Sequence, residues 1–182
     1  MLKESIQSFK APIYTRVKRG GASYHQTIHF IVANLNRLVK VYKQTEGYGI
    51  GDNLQTLRLI RDEIDHNLRR YHGYTIKGSI GSHYKQVGIK KGIFEHMVPA
   101  STIRDLLLAE KITAHQACNM PTCLISKEND DQLRSQGFAS TTPDIYNFWK
   151  RYSNLNGQFV TYKNEPVLMS NWNLDNHFDY FG

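Results

Sequence analysis

Apolar positions recur at two different periods along the chain, and the change of period divides it. Between residues 23 and 44, Ile28, Ile31, Val32, Leu35, Leu38, Val39 and Tyr42 fall three and four apart, which predicts an amphipathic helix with one core-facing stripe. Leu54, Leu57, Ile60, Ile64 and Leu68 repeat the pattern and predict a second helix, capped by Asp52 or Asn53 and ending near His72 and Gly73. Three glycines in residues 47–52 separate the two. No strand precedes them and no Lys-Ser/Thr pair follows, so they read as a helix–helix connection rather than a phosphate loop, and the helices as an antiparallel hairpin.

From residue 74 to 94 the period shortens. Tyr74, Ile76, Ile80, Tyr84, Val87, Ile89, Ile93 and Phe94 are interspersed with Gly78, Gly81, Gly88 and Gly92, predicting short strands and turns. The strand over residues 89–98 closes on Glu95-His96, with Pro99 just beyond. Ser101 or Thr102 starts a helix over 103–110, and Thr113 a short turn towards Cys118. A second apolar strand, 122–125, passes into a helix with Ser126 as N-cap, acids in the first turn and Asn129 at the third position, ending near Gly137. Beyond it come a helix over 144–152, a strand over 157–162, a turn at 164–166, and an aromatic tail with Trp172, Phe178, Tyr180 and Phe181, either folded back on the core or presented to a partner. His177 in that tail is a further candidate site histidine without a place in space. At 182 residues the chain is expected to form one α+β domain: a helical hairpin (1–75) packed on a core (76–137), with a mixed C-terminal extension (138–182).

Charge narrows the choice of partner. A formal net charge of +7 favours polyanions, and the absence of an amphipathic basic helix of membrane type favours nucleic acid over lipid. Lys85, Lys90 and Lys91 bring positive charge to the approach to Glu95-His96, where they meet a nucleic-acid backbone or keep an edge strand soluble. Lys127 and Arg134 on the later helix are further phosphate-contact candidates, together with Lys150 and Arg151. The cations Arg58, Arg61, Arg69 and Arg70 of the second helix alternate with Asp62, Glu63 and Asp65, and surface pairing is the simpler reading of them. The basic stretch at residues 16–21 reads first as a solvated loop.

Two cysteines, Cys118 and Cys123, are too few for a disulfide framework and suit a reducing compartment. With His115 they contain part of a zinc-ligand set, and His25 and His29 stand one helical turn apart, but neither group has its remaining ligands nearby. No apolar run reaches the roughly 18 residues that span a bilayer, and the first residues lack the features of a signal peptide, so a soluble, cytoplasmic protein without a membrane partner is expected.

The acid-His pair closing one strand, Glu95-His96, followed by Asn119 and then by Asn129 in the first turn of a helix after a second strand, resembles the ββα-metal, or HNH, endonuclease family. The resemblance implies a ββα-metal core in which His96 is the general base, Glu95 and Asn129 hold one divalent cation, and Asn119 orients the loop carrying His96. It further implies metal-dependent hydrolysis of DNA phosphodiesters, with RNA as the other candidate. The chemistry is coherent: a neutral imidazole can deprotonate water, and a carboxylate with an amide oxygen suits Mg²⁺. It demands that the strand bend or end between Glu95 and His96, since neighbours on a regular strand face opposite ways. In the rival reading Glu95, His96 and Asn129 are structural, and the chain is a non-catalytic basic nucleic-acid-binding or regulatory protein. A third reading makes it an interaction protein that uses the aromatic tail.

Overall fold

A computed structural model describes residues 25–48, 50–74 and 82–181, except for a few helical side chains near the edges of these stretches. The basic stretch at 16–21, the side chain of His25, the cap candidate Asp52 and the apolar residues Ile76 and Ile80 lie outside what is described. α1 (His25–Gly47) and α2 (Ile50–Tyr74) form the expected hairpin. Their apolar stripes meet, with Leu35, Ile64 and Leu68 fully buried, and the Asn34 amide donates across the pair to Asn67 Oδ1 at 3.3 Å. Leu54, read as part of the stripe, is instead exposed.

α3 (Ala100–Leu108) and α4 (Ala114–Cys118) pack against this hairpin and complete its core with Ile103, Leu107 and Ala117. Two charged residues of α2, Arg61 and Asp65, pair across to α3 rather than within their own helix. Arg61 meets Asp105 at 2.7 Å, and Asp65 accepts from Arg104 at 2.6 Å, so both bonds tie α2 to α3. α3 begins one residue before the expected cap, because Pro99 serves as its N-cap residue. α4 has the expected Thr113 cap, in a full capping box with Gln116.

Four short strands make one mixed sheet in the order β2–β3–β1–β4: β1 (Tyr84–Gln86), β2 (Ile93–His96), β3 (Thr122–Ile125) and β4 (Phe159–Thr161). β3 runs antiparallel to β2 and parallel to β1, and β4 lies antiparallel along the far edge of β1. Gly92 is required before β2, since a Cβ there would sit 2.3 Å from Leu124 Cγ. α5 (Lys127–Ser135) follows β3 as read from the sequence, with the Ser126 hydroxyl accepting from the Asn129 N–H at 3.3 Å. The helix expected over 144–152 is a single 3₁₀ turn, Phe148–Tyr152, and the aromatic tail folds back as α6 (Leu174–Phe181) with Phe178 buried. The whole is an α+β arrangement of N-terminal helices packed with a small mixed sheet and C-terminal helices. No described helix is long and apolar enough to cross a membrane.

The end of α3 carries local strain. Glu110 N–H donates to Leu107 O and Lys111 N–H to Leu106 O, the double bond of a Schellman motif, and this places Glu110 at φ 54°. Glycine is the default residue in that left-handed position. Glu110→Gly is therefore expected to stabilise the fold by about 0.5–1 kcal/mol in urea unfolding, and a lower midpoint would contradict this account of the turn.

Candidate functional site

β2 is regular through its last two residues, so Glu95 and His96 face opposite sides of the sheet. The register pairs Glu95 with Cys123 and His96 with Thr122, in unbroken alternation with Ile93 and Phe94. The bend that one shared site would need is absent. Pro99 acts three residues later, where it starts α3.

On one side, Glu95 meets Arg151 of the 3₁₀ turn. Arg151 Nη2 lies 2.5 Å from Glu95 Oε1, and the arginine is only 1% exposed. The rest of the guanidinium is spent on backbone: Nη1 donates to His96 O at 2.6 Å and Nε to Phe138 O at 3.1 Å. Burial pushes the Glu95 carboxyl above its ordinary range, and the Arg151 charge opposes that rise. Arg151, read as a phosphate contact, is thus an internal cross-link between β2, the end of the α5 segment and the 3₁₀ turn.

Asn129 stands at the third position of α5 and is buried, but its amide is committed elsewhere. Nδ2 donates to Gln86 Oε1 at 3.0 Å and to Asn156 O at 2.8 Å, fastening α5 to β1 and to the loop before β4. Glu95 and Asn129 therefore hold different partners. Asn119 caps the end of α4, donating from Nδ2 to His115 O at 2.7 Å and accepting at its backbone oxygen from His177 Nε2 at 2.8 Å. The segment after His96 is held instead by the Met97 N–H on Pro121 O at 3.0 Å.

These placements correct the expected metal chemistry. Among the described residues no three His, Cys, Asp or Glu side chains converge in a group able to hold a cation. The Mg²⁺ site at Glu95 and Asn129, the HNH-type activity that depends on it, and the endonuclease function all fall with that finding. The physical cause is competition at Glu95, whose carboxylate is neutralised by an internal guanidinium, while the Asn129 amide is fixed through its Nδ2 on Gln86 and Asn156, partners that Glu95 does not share. Cys118 and Cys123 are buried free thiols, with burial raising the pKa of each.

On the other side of β2, His96 meets a residue that the sequence reading treated only as a helix end. His72 Nδ1 and His96 Nε2 are 2.9 Å apart, with the rings edge to face. Burial lowers His72 to about 4, against a smaller opposite effect of the Cys118 backbone. His96 is lowered well below the usual imidazole range, first by burial and then by His72, Arg69 and Arg151. A second buried group stands at the same end of the sheet, across Thr122, which pairs with His96 and lies 2.9 Å from His83 Nδ1. His177 Nδ1 lies 2.9 Å from the Tyr84 hydroxyl and the His83 ring packs on His177 at 4.7 Å, so α6 is sewn to β1. The Asn119 carbonyl can only accept, so the His177 proton sits on Nε2 and Tyr84 donates to Nδ1.

The proposed phosphate-binding residues divide. Lys127 pairs with Asp131 of its own helix, and Arg134 with Asp130 at 3.0 Å. Lys85, Lys90 and Lys91 have no carboxylate partner among the described residues, and Lys90 and Lys91 are exposed on the turn between β1 and β2. No protein-family model, curated protein or solved structure matches the chain, so the HNH resemblance rests on the short sequence pattern alone.

Two stability measurements follow from this geometry. Arg151→Met strands the Glu95 carboxylate and two carbonyls, and should destabilise the fold by about 3–5 kcal/mol, with part recovered when Glu95→Gln is added. Equal urea midpoints for wild type and Arg151→Met would refute the cross-link. His72 is held at about 4 and His177 at about 3, both below the value of about 6.5 in an unfolded chain, so the unfolded state binds more protons between those limits. Stability is fully present above pH 6.5 and should fall on acidification, by about 2 kcal/mol per histidine at pH 5. Urea midpoints that coincide at pH 7 and pH 5 would contradict it.

Proposed function

We propose that this chain is a non-catalytic, basic nucleic-acid-binding protein, with the lysines of β1 and the following turn as its contact surface. The carrying observation is the inequality among its cations. Of the candidate phosphate contacts named from the sequence, Lys127, Arg134, Lys150 and Arg151 each lie against a carboxylate, whereas Lys85, Lys90 and Lys91 do not. Paired cations have little left to offer a phosphate, while unpaired lysines on an exposed turn can neutralise one each and release its counterions. Such contacts position a backbone without reading bases, so DNA and RNA are both accepted.

In this reading β2, β3 and α5 form a ββα-like scaffold in which Arg151 stands against Glu95 where a nuclease of that type would need a cation. His96 then serves packing, through His72, rather than activation of water. The unit carries the lysine turn on a braced strand.

Lys90→Ala with Lys91→Ala should weaken binding of a short duplex in a gel-shift titration and make the salt dependence shallower, by a slope of about 1–2. An unchanged slope would remove this turn from the surface. Supercoiled plasmid incubated with the protein and Mg²⁺ should stay intact, and EDTA-sensitive nicking would overturn the non-catalytic reading.

A further inference from the structure

α1 and the turn between α3 and α4 enclose an open groove of about 680 Å³. Lys40 and Lys43 line one wall and Glu110 and Lys111 the other, over an apolar floor that includes Val39, Leu107 and Ile112. Lys43 has Glu46 at 3.7 Å, but Lys40 and Lys111 have no carboxylate partner among the described residues. The groove runs along α1 from Asn36 to Gln44, eight residue steps, or about 12 Å at 1.5 Å per step. That length matches about three or four residues of extended peptide.

Its lining discriminates between polyanions. No aromatic ring lines it, so no base could stack there. The Glu110 carboxylate opposes any anion, but it can accept from a peptide N–H, a donor that a phosphate backbone lacks. Glu110 also keeps the left-handed turn position where glycine would be relaxed, so the chain holds a strained carboxylate at this rim. Two unpaired lysines on facing walls, with an apolar floor between them, complement two carboxylates flanking one aliphatic side chain.

We propose that this groove docks a short acidic segment of a partner protein, with an aliphatic residue seated between its carboxylates. The site is separate from the lysine turn after β1, and the proposal does not depend on nucleic-acid binding there.

The test uses the full chain and a fluorescein-labelled Glu-Glu-Leu-Glu-Glu peptide, followed by anisotropy at low salt. Saturable binding is expected, and Lys40→Glu with Lys111→Glu should weaken it by about tenfold or more while leaving the thermal melt of the protein unchanged. Lys40→Ala with Lys111→Ala should give a smaller loss, which keeps the test decisive if the charge reversal disturbs folding. The Gln-Gln-Leu-Gln-Gln peptide should bind at least about tenfold more weakly than the acidic one. An unlabelled oligo-dT competitor should not displace the peptide. Absence of saturable binding, equal affinity in both lysine variants, equal affinity for the glutamine peptide, or displacement by oligo-dT would each overturn the proposal, the last by assigning the groove to nucleic acid.

Discussion

A guanidinium that is 1% exposed cannot be left without partners, and much of this structure follows from meeting that demand. Arg151 is satisfied by the Glu95 carboxylate and the carbonyls of the neighbouring His96 and of Phe138, groups from two segments that lie far from it and from one another in sequence. Removing any one would leave charge or a polar atom stranded in the core, so the end of β2, the segment after α5 and the 3₁₀ turn are constrained together. The same demand decides the chemistry of Glu95. Its carboxylate neutralises an internal cation, and it faces away from His96 because β2 keeps its pleat to the last residue.

The buried histidines extend this constraint to the rest of the fold. His72 meets His96 and so joins the far end of α2 to the edge strand of the sheet, while His177 joins α6 to β1 through Tyr84. All are neutral groups in low dielectric, where a proton is unwelcome. They act as polar pins within an apolar interior, and Asn129 does the same for α5 through Gln86 and Asn156.

What could be read in advance was local. The α1–α2 hairpin, the Thr113 and Ser126 caps, the β3-to-α5 passage and the place of Asn129 at the third helical position all came from periodicity and capping chemistry, which act over a few residues. The partners of the site residues did not. Glu95 lies 56 positions before Arg151 in the chain and His96 lies 24 after His72, and nothing in either local pattern marks the other. Alternation within a strand did contain the warning that Glu95 and His96 point apart. Pro99, just beyond the pair, does not relieve that rule, because its effect falls on the start of α3. The segment at 144–152 misled for a related reason: its apolar spacing suits a helix, but it folds as a 3₁₀ turn in which Arg151 reaches the end of β2 and the loop after α5 at once.

The central claim is that Glu95 is neutralised by an internal guanidinium and Asn129 is fixed on other partners, so that the two do not share a cation. Paramagnetic broadening by Mn²⁺ of the backbone amide signals of Glu95 and Asn129 measures this directly. The account predicts that these amides broaden no more than those elsewhere on the surface as Mn²⁺ is added. Selective, saturable broadening centred on both residues and reversed by EDTA would contradict it.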